Sequence, residues 1–203
     1  EVINIDSRNT EAGTGYIKKT YIADNFNKDL ATIKIKNDNT SVAWGAAYYQ
    51  YFEQLDKIKT FADTPLKINK KLYKVVASGK GDELVEVKEN TNLKPGDKLK
   101  VRIELVVDRQ MEYVHMKDMR ASGLEPTNVI SEYKYQGQLG YYETTKDLAT
   151  HFYFSYLPKG TFVFEYPLAV VHKGDFSGGI TSIECMYAPE FSSHSEGIRV
   201  KVK

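Results

Sequence analysis

Few side chains in this sequence are suited to covalent or metal chemistry: one cysteine, Cys185, and the histidines His115, His151, His172 and His194. A cysteine nucleophile needs a base beside it and surroundings that favour the thiolate. Cys185 has Ile183 and Met186 as neighbours and no histidine motif near it, so it reads as a buried strand thiol. The histidines stand singly, without H-E-x-x-H or H-x-x-E-H spacing, and predict no metal ligand set. Asp118 follows His115 within a turn's length of chain, and Ser193 and Ser195 flank His194. A triad drawn from these lacks a G-x-S-x-G elbow and an oxyanion motif. Gly13-Thr14-Gly15 lacks the G-x-x-x-x-G-K context of a phosphate loop. The expectation is a chain with no catalytic residue, no metal and no cofactor.

Aromatic and apolar residues offer contact chemistry instead. Tyr48-Tyr49 and Tyr141-Tyr142 stack on sugars or bases if they are exposed, and alternate between core and surface if they are ordinary strand residues. Met186 and Tyr187 end a strand-like segment and are followed by Pro189, Glu190, Phe191 and His194. A large apolar residue and an amphipathic aromatic in that position either plug the end of a sandwich or form a stiff contact loop.

The elements that must position these residues are strands. Leu157-Pro158-Lys159-Gly160 is a turn, and Thr161 to Val171 follows as an extended run with Phe162, Phe164 and Tyr166 on one face. Val163 and Glu165 take the other face. Gly174 to Gly179 turns the chain, Ile180 to Met186 begins another strand, and Tyr187 to Gly197 reads as irregular. Further strands are expected at Leu66–Val76, Glu83–Val87, Lys98–Val107, Glu112–Lys117, Val129–Tyr135, Tyr141–Thr145, His151–Tyr156 and Ile198–Lys203, with turns at Gly79-Lys80-Gly81 and Leu93 to Asp97. In KLKVRIELVV, period two places Leu99, Val101, Ile103 and Leu105 toward a core. Regular turn signals of this kind describe an antiparallel sandwich. Nearer the start, Val2–Ile5, Tyr16–Ile22 and Ala31–Lys36 read as short extended pieces, with Asn37-Asp38-Asn39 as a turn. Ser41 to Leu55 is ambiguous: Trp44, Ala47, Tyr48, Tyr51, Phe52 and Leu55 fall at helical spacing, yet the aromatics suit a strand. Lys57 to Pro65 has linker composition.

Composition narrows the partners. With 203 residues the chain holds one large or two ordinary domains. Lys+Arg 28 against Asp+Glu 27 leaves a net charge of +1, so no footprint for nucleic acid or an anionic membrane follows. No apolar run reaches the ~18 residues of a transmembrane helix. One cysteine excludes an internal disulfide. The start at Glu1, with neither an initiating Met nor an apolar leader, reads as a processed or excised piece whose targeting signal lies outside it.

LPKGTFVFEY, GDFSGGIT and CMYAPEF followed by SEG resemble the C-terminal domain of bacterial alpha-2-macroglobulin-like proteins. The shared features are Pro158-Lys159-Gly160 with Tyr166, Gly174-Asp175-Phe176 and Met186-Tyr187-Ala188-Pro189-Glu190. Upstream, Gly96-Asp97, Asp108-Arg109 and Gly123-Leu124-Glu125-Pro126 fit the same domain, and the resemblance covers Leu66 to Lys203. AWGAAYYQYFEQLDK resembles the last strand of a CUB-like sandwich, which favours a strand to about Tyr51. The resemblance implies an all-β chain: residues 1–57 as the back part of a CUB-like β region, 58–65 as a linker, and 66–203 as an immunoglobulin-like antiparallel β-sandwich of macroglobulin type. It implies a non-catalytic module of an endopeptidase inhibitor, located in the periplasm or cell envelope. Its partners would be the upstream domains of its own parent chain and, through that parent, target endopeptidases. The thioester motif C-x-E-Q of some relatives is absent, since Cys185 sits in Glu184-Cys185-Met186-Tyr187. The loop of Met186, Tyr187, Pro189, Glu190, Phe191 and His194 would pack on a thioester-type neighbour. The alternative is a cell-surface carbohydrate-binding or adhesive β-sandwich.

Overall fold

The computed structural model describes residues 15–22, 28–38, 40, 42–79 and 81–203. The chain divides into two compact units, Glu1–Gln50 and Tyr51–Lys203. In the first unit, the regular structure among the described residues is one 3-10 turn, Lys28–Ala31. The strands expected at Tyr16–Ile22, Ala31–Lys36 and Ser41–Tyr51 do not form among the described residues, and no helix replaces the last of them. Val2–Ile5, Gly13, Thr14, Asn39 and Ser41 lie outside the described residues, as does Lys80 of the later turn. A strand is stable only when a ladder satisfies its backbone and a second layer covers its apolar face. ATIKIK has the alternation but not the cover: Ile33 and Ile35 are 57% and 83% exposed. Trp44, Tyr48, Tyr51 and Phe52 likewise stand in solvent.

The second unit is β-structure throughout. Its strands are β1 (Leu66–Ser78), β2 (Gly81–Glu86), β3 (Lys98–Val107), β4 (Met111–Met119), β5 (Leu124–Pro126), β6 (Glu132–Gln136), β7 (Leu139–Thr145), β8 (Ala149–Leu157), β9 (Gly160–Val170), β10 (Gly174–Ser177), β11 (Thr181–Cys185), β12 (Ala188–His194) and β13 (Arg199–Val202). A five-stranded sheet runs β2-β1-β3-β9-β5 and a six-stranded sheet runs β12-β11-β4-β8-β7-β6, with β10-β13 as a separate ribbon. All strand pairs are antiparallel. This is the antiparallel sandwich that the turn spacing predicts, of the immunoglobulin-like kind that the resemblance implies.

The core forms where the inward faces meet. Leu99, Val101, Ile103 and Leu105 of β3 are buried, as period two requires. On β9, Phe162, Phe164 and Tyr166 face inward while Val163 is exposed and Glu165 half-buried. Phe164 reaches across to Tyr141, Phe154 and Phe152, at ring-centroid distances of 5.4, 5.7 and 6.0 Å. Such tilted and edge-to-face pairs add about 0.5–1.5 kcal/mol each beyond area burial. Tyr141 is therefore a core residue, its hydroxyl donating to Gln136 Oε1 and its pKa pushed up to about 12 by burial and then by the Glu143 charge. Only Tyr142 of that pair reaches the outer face.

Two stretches depart from the expected pattern. Gly174–Ser177, read as a turn, is strand β10 paired with β13. Residues 188–194, read as irregular, are strand β12, pairing Ser193 with Ile183 and Ser192 with Glu184. Pro189 is compatible with a strand there because β12 is outermost and its free side needs no ladder donor. A 3-10 turn, Leu55–Lys57, precedes chain that lies along the far end of β12. Phe61 exchanges two backbone hydrogen bonds with His194, each 2.9 Å, and Gly197 N–H donates to Ile58 O at 2.9 Å. A Cβ on Gly197 would fall 1.8 Å from Leu55 O, so only glycine admits this approach. Arg199 closes the contact on Asp56 at 3.0 Å.

Candidate interdomain contact site

The β11–β12 hairpin turns through two residues, Met186 and Tyr187, between the paired Cys185 and Ala188. A register shift at Glu184/Cys185 re-aims the strand just before the turn. Met186 N–H donates to Tyr113 O at 2.9 Å, and the Cys185 thiol lies 3.5 Å from Glu112 O. Tyr187 meets Tyr113 edge to face, with centroids 5.3 Å apart. Met186 is 58% exposed and Tyr187 79%. Neither side chain plugs the sandwich; the pair forms an apolar tip held by its backbone and by one ring contact.

Tyr113 was not legible as a candidate, though a signal existed. The inward positions run Met111, then Val114, Met116 and Asp118, so the strand changes phase between Met111 and Val114. On β8 the same change separates Phe154 from Leu157. Tyr113 absorbs it with φ of +54°, a region rarely populated by a bulky residue.

The six expected residues do not form one patch. Pro189 and Glu190 are exposed beside the tip, and Phe191 is half-buried with the Arg109 guanidinium 5.8 Å from its ring centre. His194 ends β12, roughly 20 Å from the turn at strand rise. There its ring lies 5.8 Å from Phe61 and its Nδ1–H donates to Ser195 O at 3.2 Å. Glu190 is placed to supply a polar rim, whereas His194 belongs to the opposite end.

At that opposite end a buried polar cluster joins the two sheets. Asp118 on β4 is fully buried and sits 2.6 Å from Lys70 Nζ of β1, a lysine only 6% exposed. Lys70 also donates to Met119 O at 2.6 Å, and Thr181 Oγ1 donates to Asp118 at 2.5 Å. The Tyr166 hydroxyl donates to the other carboxylate oxygen. Burial, followed by the Asp118 charge, drives the Tyr166 pKa well above the usual phenolic range. Thr181 N–H donates to Ser195 Oγ, and Ser195 N–H returns to Thr181 O. Period two along LKINKKLYK puts Lys70 in phase with Leu66, Ile68 and Leu72, which is the sequence signal for this buried cation.

The histidines do not all stand singly. Antiparallel pairing sets His115 opposite Tyr153 and His151 opposite Lys117, which makes the two histidines diagonal neighbours. His115 Nε2 and His151 Nδ1 share a hydrogen bond of 2.9 Å, and Glu184 lies 3.8 Å from His115 Nδ1. Burial lowers the pKa of His115, partly offset by Glu184; burial and then the His115 charge lower that of His151. Asp118 points into the core while His115 faces outward, so the paper triad cannot assemble. Among the described residues, no three ligating side chains converge on a metal position.

The bacterial alpha-2-macroglobulin MG10 domain model matches residues 66–190. Among curated proteins, none is significantly similar to the chain. A mutant of Salmonella alpha-2-macroglobulin superposes with a TM-score of 0.55 at 18% identity, covering 72% of this chain and 10% of that one. Elastase-activated Escherichia coli alpha-2-macroglobulin gives 0.55 at 14% identity, over 72% and 14%. Native Escherichia coli alpha-2-macroglobulin from MG7 to the C-terminus gives 0.53 at 12%, over 71% and 24%. At these identities the likeness concerns the fold, and the chain spans a quarter or less of each of these proteins.

Proposed function

The chain belongs to the bacterial alpha-2-macroglobulin MG10 domain family, and on that premise we propose that it is a non-catalytic contact module of an endopeptidase inhibitor. The Met186–Tyr187 tip packs on the thioester-type domain of the parent chain and excludes water from it. One observation carries this reading: two large side chains stand in solvent at a turn whose backbone is fixed on Tyr113. A rigid, exposed apolar tip is suited to a partner surface. Residues 1–57 are the back part of a CUB-like domain, 58–65 the linker, and 66–203 the macroglobulin domain. Target endopeptidases are met through the parent, in the periplasm or cell envelope. No helix among the described residues is long and apolar enough to cross a membrane.

Burying a Met or aromatic side chain contributes on the order of 1.5–3 kcal/mol. That is enough to bias a two-state closure about ten-fold or more. Combining Met186→Ala with Tyr187→Ala is expected to leave the melting temperature of this chain nearly unchanged. In the parent, the same pair loosens the closed state, seen as faster limited proteolysis. Equal proteolysis of wild-type and doubly substituted parent would end the proposal.

A further inference from the structure

A groove of about 380 Å³ lies on the outer face of the six-stranded sheet, over β6, β7 and β8. Tyr133, Gln138, Gly140, Tyr153, Ser155 and Tyr156 line it, and none of its lining side chains carries a charge. Gly140 opens the floor, facing Tyr135 across the β6–β7 ladder. Each exposed ring is braced from outside the groove. Tyr133 meets Tyr142 edge to face at 5.1 Å, Tyr153 stacks on His115 at 4.8 Å, and the Tyr156 hydroxyl donates to Gln110 Oε1 at 3.1 Å. Rings braced in this way lose little conformational freedom when a ligand arrives.

Gln138 supplies an independent observation. Gly137 and Gln138 form the two-residue β6–β7 turn with φ of +59° and +68°. Both central residues at positive φ describe a type I′ turn, a place for Gly, Asn or Asp. A glutamine there strains the backbone relative to glycine, yet it puts a carboxamide at the groove wall. The β7–β8 ladder stops at Tyr142 and Tyr153, so the two strands part beneath Gly140 and Ser155, and with no charged side chain in the lining an anionic or cationic ligand has no ion-pair partner there. What remains is a neutral site with aromatic faces, one amide and several hydroxyls. Those groups complement the C–H face and hydroxyl edge of a sugar ring. The volume lies near the lower end of the ~300–1,000 Å³ usual for ligand sites, which suits a short saccharide stretch.

We propose that this groove binds a neutral oligosaccharide. The test is calorimetric titration of the whole chain with cellohexaose, maltohexaose and chitohexaose, and with decaproline as the competing class. At least one hexasaccharide is expected to bind with Kd of roughly 0.1–1 mM, and decaproline not at all. Tyr133→Ala, at a residue 79% exposed, weakens that binding about ten-fold or more with the melting temperature unchanged. Gln138→Gly raises the melting temperature and still weakens binding. The Met186→Ala/Tyr187→Ala pair leaves saccharide affinity intact, which separates this site from the contact tip. Failure of all three hexasaccharides to bind more tightly than roughly 10 mM, decaproline binding in their place, or affinity that survives Tyr133→Ala would each overturn the proposal.

Discussion

The two ends of the β11–β12 hairpin invert the usual relation between polarity and burial. At the turn, Met186 and Tyr187 are apolar and exposed; at the far end, Thr181, Ser193 and Ser195 are polar and 0–2% exposed. The polar end has its cost answered group by group. Thr181 reaches Asp118 and Ser195, and Ser193 Oγ donates to Phe61 O at 2.7 Å. The apolar end has only one backbone hydrogen bond and one ring pair. Stability is thus concentrated where the sequence looks hydrophilic, and the side chains free to meet a partner lie where it looks hydrophobic.

The sharpest way to break this comparison is Asp118→Ala. It leaves the Lys70 ammonium buried with only the Met119 carbonyl, and the expected loss is about 3–5 kcal/mol in chemical denaturation. A loss under about 1 kcal/mol would mean that the two ends do not differ in this way.

Between the ends, on the outer face, the His115–His151–Glu184 chain predicts a smaller, pH-dependent effect. Both histidine pKa values are lowered from the ordinary 6.5, by burial first. The unfolded chain therefore binds more protons just below pH 6.5, and stability falls as the pH drops through that value toward the folded pKa values. Lys117 and Lys146 act in the same sense on His151, whereas Glu184 opposes the shift at His115. Denaturant midpoints measured from pH 7.5 to pH 5 are expected to decline, with the decline flattened by replacing both histidines with Gln. An equally steep profile in that variant would place the dependence elsewhere.

The smallest effect is at the turn. Tyr187→Ala removes the edge contact with Tyr113 and costs this chain no more than about 0.5–1 kcal/mol. A loss several times larger would make the tip part of the fold and reduce it as a contact surface.

The same contrast explains what could be read from residues alone. Strand β3 was legible because a core covers one face and water the other, so period two is written over Lys98–Leu105, with Val106 the one apolar residue on the wet face. Strand β12 was not, because Pro189, Ser192 and Ser193 are loop-like by type, and only an outermost position beside Phe61 lets them pair. Around Trp44, spacing suited a helix and aromatic content a strand, and the resemblance to a CUB-like last strand favoured the strand; the described structure gives that stretch no ladder and the rings stay exposed. Met186 and Tyr187 drew attention by their place at a strand end, and the structure shows them exposed at the turn. Its scaffold at Tyr113 was hidden in a phase change of two strands, and the pairing of His115 with His151 depends on a register that no local spacing encodes.

The docking of residues 55–61 along β12 bears on how this sheet stops growing. An outermost strand with unpaired N–H and C=O groups is a template for the next chain. Here Phe61 takes up the His194 backbone groups, Gly197 is pinned to Ile58, and Asp56 secures Arg199. Trimming the chain back to Leu66 would strip this guard from the strand that carries the tip. The segment before the sandwich thus covers the His194 end of the outermost strand and leaves less of the sheet's margin open to copies of itself.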